Sequence, residues 1–115
     1  MKLLVIRTMK DQSPDLSIDT IKLKKAALIL RAVNHPLRQK ILRSIHQKQS
    51  VNVSELYKNL RLEQSVASQH LGILRKAGFV DTEREGRVIY YSVNYERLKE
   101  LNNLIEEMLQ QASAR

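Results

Sequence analysis

Residues 64–78 read Gln64-Ser65-Val66-Ala67-Ser68-Gln69-His70-Leu71-Gly72-Ile73-Leu74-Arg75-Lys76-Ala77-Gly78. Ala67, Leu71 and Leu74 recur at helical spacing and turn inward together, while Gln64, Ser65, Ser68, Gln69 and Arg75 fall largely on the other side. Gly78 suits the position just past the helix end, where a left-handed backbone costs glycine nothing. Upstream, Val53, Leu56, Tyr57 and Leu60 stand at i, i+3, i+4 and i+7, which predicts a short helix from about Val53. Only Arg61-Leu62-Glu63 connects the two, so the pair has the arrangement of a helix-turn-helix. The outward face of the second helix is polar and uncharged over its first two turns. A glutamine amide can bond adenine through N6 and N7 in the major groove, and serine hydroxyls can serve bases or phosphates. The first turns of such a helix are those that reach base edges. The same residues also suit a plain solvated helix face.

Working outward, Ser17 or Asp19 can cap a helix in which Ile18, Ile21, Ala26, Leu28, Ile29, Leu30 and Val33 cover much of the circumference, so it needs more than one neighbour. Asn34-His35-Pro36 breaks it, and Pro36 suits the first turn of a second helix carrying Leu37, Ile41, Leu42 and Ile45 on one side. Beyond Gly78, the extended runs Phe79 to Arg84 and Arg87 to Val93 meet at Glu85-Gly86, which predicts a hairpin around a glycine turn. Leu98, Leu101, Leu104, Ile105, Met108 and Leu109 then mark a long amphipathic helix from about Tyr95 to Gln111. The expected fold is mainly α with a small β-hairpin: a winged helix-turn-helix of about five helices and a two-stranded wing. Residues 1–17 form an arm or tail in which Leu3 to Ile6 can add a short strand, residues 18–112 the domain, and residues 113–115 a tail.

At 115 residues the chain has room for one core, and with 43% hydrophobic residues against 4% aromatic that core must be mostly Leu, Ile, Val and Ala. Lys and Arg outnumber Asp and Glu by 20 to 12, a net charge of +8 that points to a polyanionic partner. No acidic residue lies between Asp19 and Glu55, whereas Lys22, Lys24, Lys25, Arg31, Arg38, Lys40, Arg43 and Lys48 all do. A phosphate backbone rewards such a field through counterion release, so double-stranded DNA is the expected partner. Arg38, Lys40, Arg75 and Lys76 are candidate backbone contacts. Arg84 and Arg87 flank Gly86 at the hairpin tip, where they can lie along phosphates or enter the minor groove, although Glu83 and Glu85 dilute that charge. The first and last helices carry more Leu, Ile and Ala than a monomer of this size readily hides, which predicts an isologous homodimer through those two helices. Two recognition helices would then stand about one DNA turn, roughly 34 Å, apart.

The chain contains no cysteine, which removes disulfides, thiolate metal sites and cysteine nucleophiles together and suits a reducing cytoplasm. The apolar run Leu3 to Ile6 is too short for a signal peptide, and no stretch reaches membrane-spanning length. His35, His46 and His70 lie on or next to separate helices, where capping, packing and phosphate roles are more ordinary than metal binding. Ser65 and Ser68 have His70 nearby but no acidic orienter or oxyanion nest. Glu106-Glu107, with Glu100 near, reads as a solvated face, and Gly72, Gly78 and Gly86 are too isolated for a phosphate loop. No enzymatic activity, cofactor or metal is expected. Gly72 costs its helix about 1 kcal/mol relative to alanine, which implies either tight packing against the second helix or an unobstructed approach to the groove.

The runs Asn34-His35-Pro36-Leu37-Arg38-Gln39-Lys40-Ile41-Leu42, Val53-Ser54-Glu55-Leu56, Gln64 to Val80 and Glu85-Gly86-Arg87-Val88-Ile89-Tyr90-Tyr91, in this order and spacing, resemble the ArsR/SmtB family of bacterial winged-helix repressors over roughly residues 20–110. The resemblance implies a homodimer, paired through the first and last helices, that sits on an inverted-repeat operator and blocks transcription. By its pattern Gln64, Ser65, Ser68 and Gln69 would read or approach bases, His70 would position the helix or touch phosphate, and Arg84 and Arg87 would belong to the wing. The family's metal sensors often carry a Cys-x-Cys pair where this chain has Asn52 and Ser54. A second family site, built from Asp, His and Glu on the last helix, corresponds here to Tyr95, Arg97, Met108 and Gln111. Neither set suits zinc or nickel, so metal or thiol control is not expected and no effector is named. The competing functional class is a protein-interaction module that kept the fold and lost operator recognition, for which the acidic residues near the wing and Asn102-Asn103 speak. An RNA-binding winged helix is a third.

Overall fold

Asp19, in extended conformation, accepts the Lys22 backbone N–H at 3.0 Å and opens helix α1 (Thr20–Val33). This computed structural model describes residues 16–113, with side chains to residue 110; the strand expected at Leu3 to Ile6 lies outside the described residues. His35 caps α2 (Pro36–Lys48) in the same way, its Nδ1 accepting from the Leu37 and Arg38 backbone N–H groups at 3.1 and 3.4 Å, with Pro36 in the first turn. Helix α3 (Val53–Leu60) starts in a reciprocal capping box. The Glu55 N–H donates to Asn52 Oδ1 at 2.8 Å, and the Asn52 N–H donates to Glu55 Oε1 at 3.0 Å. Arg61, left-handed at φ 56°, turns the chain toward α4 (Gln64–Lys76). Among the described residues α5 (Tyr95–Ser113) completes a set of five helices, as the periodicity predicts.

The sheet contains the expected hairpin and one strand more. A two-residue strand β1 (Val51–Asn52) pairs with β3 (Val88–Val93), so the antiparallel order is β1-β3-β2, with β2 (Val80–Glu85) on the far side. The expected two-stranded wing is present as β2 and β3, and β1 adds a short third strand beside it. Two residues are too few to show an alternating pattern, and Asn52 also reads as a helix cap. Val51 lies opposite Tyr91, Val80 opposite Val93 and Glu85 opposite Val88.

Ile41, Ile45, Val51, Leu56, Leu71, Leu74 and Phe79 are fully buried and place the core between α2, α3, α4 and the base of the sheet. Helix α1 buries only Ala32, and Leu98 and Leu101 of α5 are only half-buried against the core. Helix α5 is fixed instead by polar contacts at its start. The Asn94 N–H donates to the Phe79 carbonyl at 2.9 Å, Arg97 Nε donates to the Ala77 carbonyl at 3.1 Å, and the Arg97 guanidinium lies 5.9 Å from the Phe79 ring centroid. Gly78, at φ +88°, passes so close that an added Cβ would stand 3.2 Å from Arg97 Nε.

Candidate nucleic-acid interface

Helix α4 is held by an inner line, Ala67, Leu71 and Leu74, each 0% exposed. This fixes the opposite face toward solvent, where Gln64, Ser65, Ser68 and Gln69 are all exposed, as their spacing predicts. Gly72 continues that row, and a Cβ built on it meets nothing within 4 Å. Tight packing against α2 is thus not the reason for this glycine. Glu63 precedes the helix without capping it through its side chain, so no side chain occupies the first backbone N–H groups.

Lys40 on α2 and Arg75 and Lys76 at the end of α4 are exposed. The hairpin tip carries Arg84 and Arg87, also exposed, and Arg84 Nη1 donates to the Gly86 carbonyl at 3.5 Å. With Glu85 paired to Val88, Gly86 and Arg87 are the only turn residues, and Gly86 takes φ +65° while Arg87 stays at negative φ. That is the pattern of a type II′ turn, which needs glycine at its first central position.

Arg38 requires a correction. It was expected among the phosphate contacts, yet it is 7% exposed and its guanidinium is spent inside the protein. Nε donates to the Ala32 carbonyl at 2.6 Å, Nη2 to the Arg31 carbonyl at 3.1 Å, and Nη1 lies 3.1 Å from His70 Nδ1. The sequence revealed its charge but not its burial.

His70 is half-buried on the flank of α4, with its ring centroid 5.1 Å from that of His35. Burial first, then the Arg38 charge and then His35, hold its pKa below the ordinary imidazole value. His46 sits apart, its Nδ1 2.7 Å from the Tyr95 hydroxyl. Among the described residues no three His, Cys, Asp or Glu side chains are grouped to hold a metal ion, and no helix is long and apolar enough to cross a membrane.

A sealed helix with a polar outward face, preceded by a short helix and followed by a basic-tipped hairpin, defines a winged helix-turn-helix regulator. The chain belongs to the arsR family of bacterial regulatory proteins, whose sequence profile matches residues 35–82. A transcriptional regulator of helix-turn-helix type from Methanocaldococcus jannaschii is 36% identical over 87 residues, spanning 76% of this chain and 98% of that protein. The transcriptional repressor PagR of Bacillus anthracis is 32% identical over 91 residues, spanning 79% of this chain and 91% of its own. The PagR crystal structure superposes with a TM-score of 0.59 at 31% identity, covering 76% and 99% of the two chains. An ArsR-like regulator from Rhodococcus sp. RHA1 superposes with a TM-score of 0.71 at 21% identity, covering 82% and 88%, a likeness of fold. These relatives are transcriptional regulators, not enzymes, and the present chain is a DNA-binding transcriptional regulator.

Proposed function

We propose that the protein acts as a homodimeric repressor in the cytoplasm, setting one α4 into each of two successive major grooves of an inverted-repeat operator. The observation that carries this reading is the exposed row Gln64, Ser65, Ser68 and Gln69 on a helix whose other side is sealed into the core. Arg84 and Arg87 at the wing tip, with Lys40, Arg75 and Lys76, supply positive charge for the flanking phosphates. Pairing through α1 and α5 is supported by the apolar side chains these helices expose: Ile21 at 66%, Leu28 at 59%, Leu104 at 53%, Met108 at 60% and Leu109 at 62%. An open apolar cleft of about 200 Å³ separates the two helices between Ile29, Leu30, Phe79, Leu101 and Leu104. Exposed apolar area on this scale is what an isologous contact removes from water. Repression is the reading favoured by the likeness to PagR, itself named a repressor. No metal or thiol sensor enters, because the chain has no cysteine and the two positions of the Cys-x-Cys pair are Asn52 and Ser54.

The test is selection of bound duplexes from a random pool. An enriched inverted repeat with half-sites about 10 bp apart, bound by two protomers, is the expected result. Retention of every duplex alike, or of none at low salt, overturns the reading.

A further inference from the structure

One guanidinium joins α1, α2 and α4. Arg38 has three of its donors engaged, two on the carbonyls that close α1 and one on His70 Nδ1 in the recognition helix. Arginine remains charged and has no acceptor, so this last contact is a hydrogen bond only while His70 Nδ1 bears a lone pair. The ring is then neutral with its proton on Nε2. His35 Nδ1 is also committed as an acceptor, from the Leu37 and Arg38 N–H groups, and its ring lies against that of His70.

A proton on His70 Nδ1 would face the guanidinium with a second donor and a second positive charge. The groups bearing on this ring are Arg38 and His35, both from the start of α2. Helix α1 meets the junction with the backbone carbonyls of Arg31 and Ala32, and of the elements that also pack on α4, α3 carries Glu55 and Lys58 and β2 carries Asp81, Glu83, Arg84 and Glu85, all of them exposed. His70 directly follows Ser68 and Gln69 on α4, so the Arg38 contact ties the stretch of helix that carries the groove-facing residues to α1 and α2. Base readout depends on short, directional bonds that tolerate displacements of only about 0.5 Å.

We propose that Arg38 is the positioning residue of the recognition helix, holding α4 to α1 and α2 through His70, and that a proton on His70 releases this hold and weakens DNA binding. The inference rests on the DNA-binding reading above. Its sign is diagnostic, because positive charge added to a DNA-binding surface by itself strengthens attraction to phosphate. Acidification here acts in the opposite sense.

Two measurements on the full-length protein decide it. Without DNA, long-range proton–nitrogen correlation spectra should show His70 as the Nε2–H tautomer, titrating below the ordinary value of about 6.5. An Nδ1–H tautomer, or titration above that value, overturns the proposal. With a duplex enriched from a random pool at about pH 8, affinity at fixed ionic strength should fall at least about fivefold as pH is lowered through the His70 titration that the spectra record. His70→Gln, whose Oε1 can accept from Arg38 but does not titrate, should bind more tightly than His70→Leu at the higher pH and should lose the pH dependence. Arg38→Lys, which keeps the charge and loses the fork, should weaken binding and flatten the profile. A His70→Gln profile with the wild-type slope overturns the inference while leaving DNA binding intact. A pool from which nothing is enriched overturns the DNA-binding reading itself, and the spectra still judge the junction.

Discussion

Helices α4 and α5 divide their surfaces in opposite ways. In α4 the apolar line is sealed and the polar line faces out, so this chain alone completes its packing. In α5 the apolar residues beyond Leu101 remain exposed, and the helix is secured mainly at its start through Asn94 and Arg97. Similar amphipathic patterns thus give a finished helix in one place and an unfinished one in the other. What separates them is whether elements of the same chain close over the apolar line.

Four variants break or sharpen this contrast, beginning with the largest effect. Leu71→Ala removes a fully buried side chain from α4 and should cost about 2–5 kcal/mol in denaturant unfolding. A loss well under 1 kcal/mol would mean that the helix is not anchored by that line. Leu104→Glu with Met108→Glu charges the exposed face of α5. Secondary structure should persist while sedimentation shifts from dimer to monomer, and an unchanged dimer would remove α5 from the interface. Gln69→Ala should lower discrimination between an enriched duplex and random DNA by about 1–3 kcal/mol, with equal ratios before and after excluding a direct base contact. Gly72→Ala should raise stability by about 1 kcal/mol, since its Cβ enters open space on the free protein. If it also weakens DNA binding, that space is where the groove wall approaches.

A pH series supplies a smaller test. His70 titrates lower in the folded chain than in the unfolded one, so the unfolded state takes up its proton first as pH falls. Its contribution to stability is whole above about pH 6.5 and is lost as pH falls from there through its lowered folded-state value. The denaturation midpoint should follow that trend in wild type, and His70→Gln should remove this part of it.

Sequence periodicity made the helices legible because a 3.6-residue repeat is local, and the exposed row on α4 follows from the same arithmetic. The break at Asn34-His35-Pro36 was readable too, from the proline that suits a first helical turn, whereas the His35 side-chain cap was not. Strand β1 was not, because two residues carry no period and only pairing with Tyr90 and Tyr91 makes them a strand. Arg38 shows the other limit. Its charge suggested phosphate, whereas its fate was decided by two carbonyls six and seven residues earlier and a ring 32 residues later. The approach of His35 to His70 is equally invisible in the chain order. No local pattern reports such contacts, which depend on how α1, α2 and α4 meet.

Val51 and Asn52 give the hairpin a third rail at its base, and Asn52 at the same time starts α3. The wing is therefore not a flap hinged at its root. The third strand reaches out to Tyr90, so only the stretch around Gly86 extends beyond it. In the complex proposed above, a shorter loose lever would forfeit less entropy on meeting a phosphate, leaving less of the hairpin to be ordered around Arg84 and Arg87.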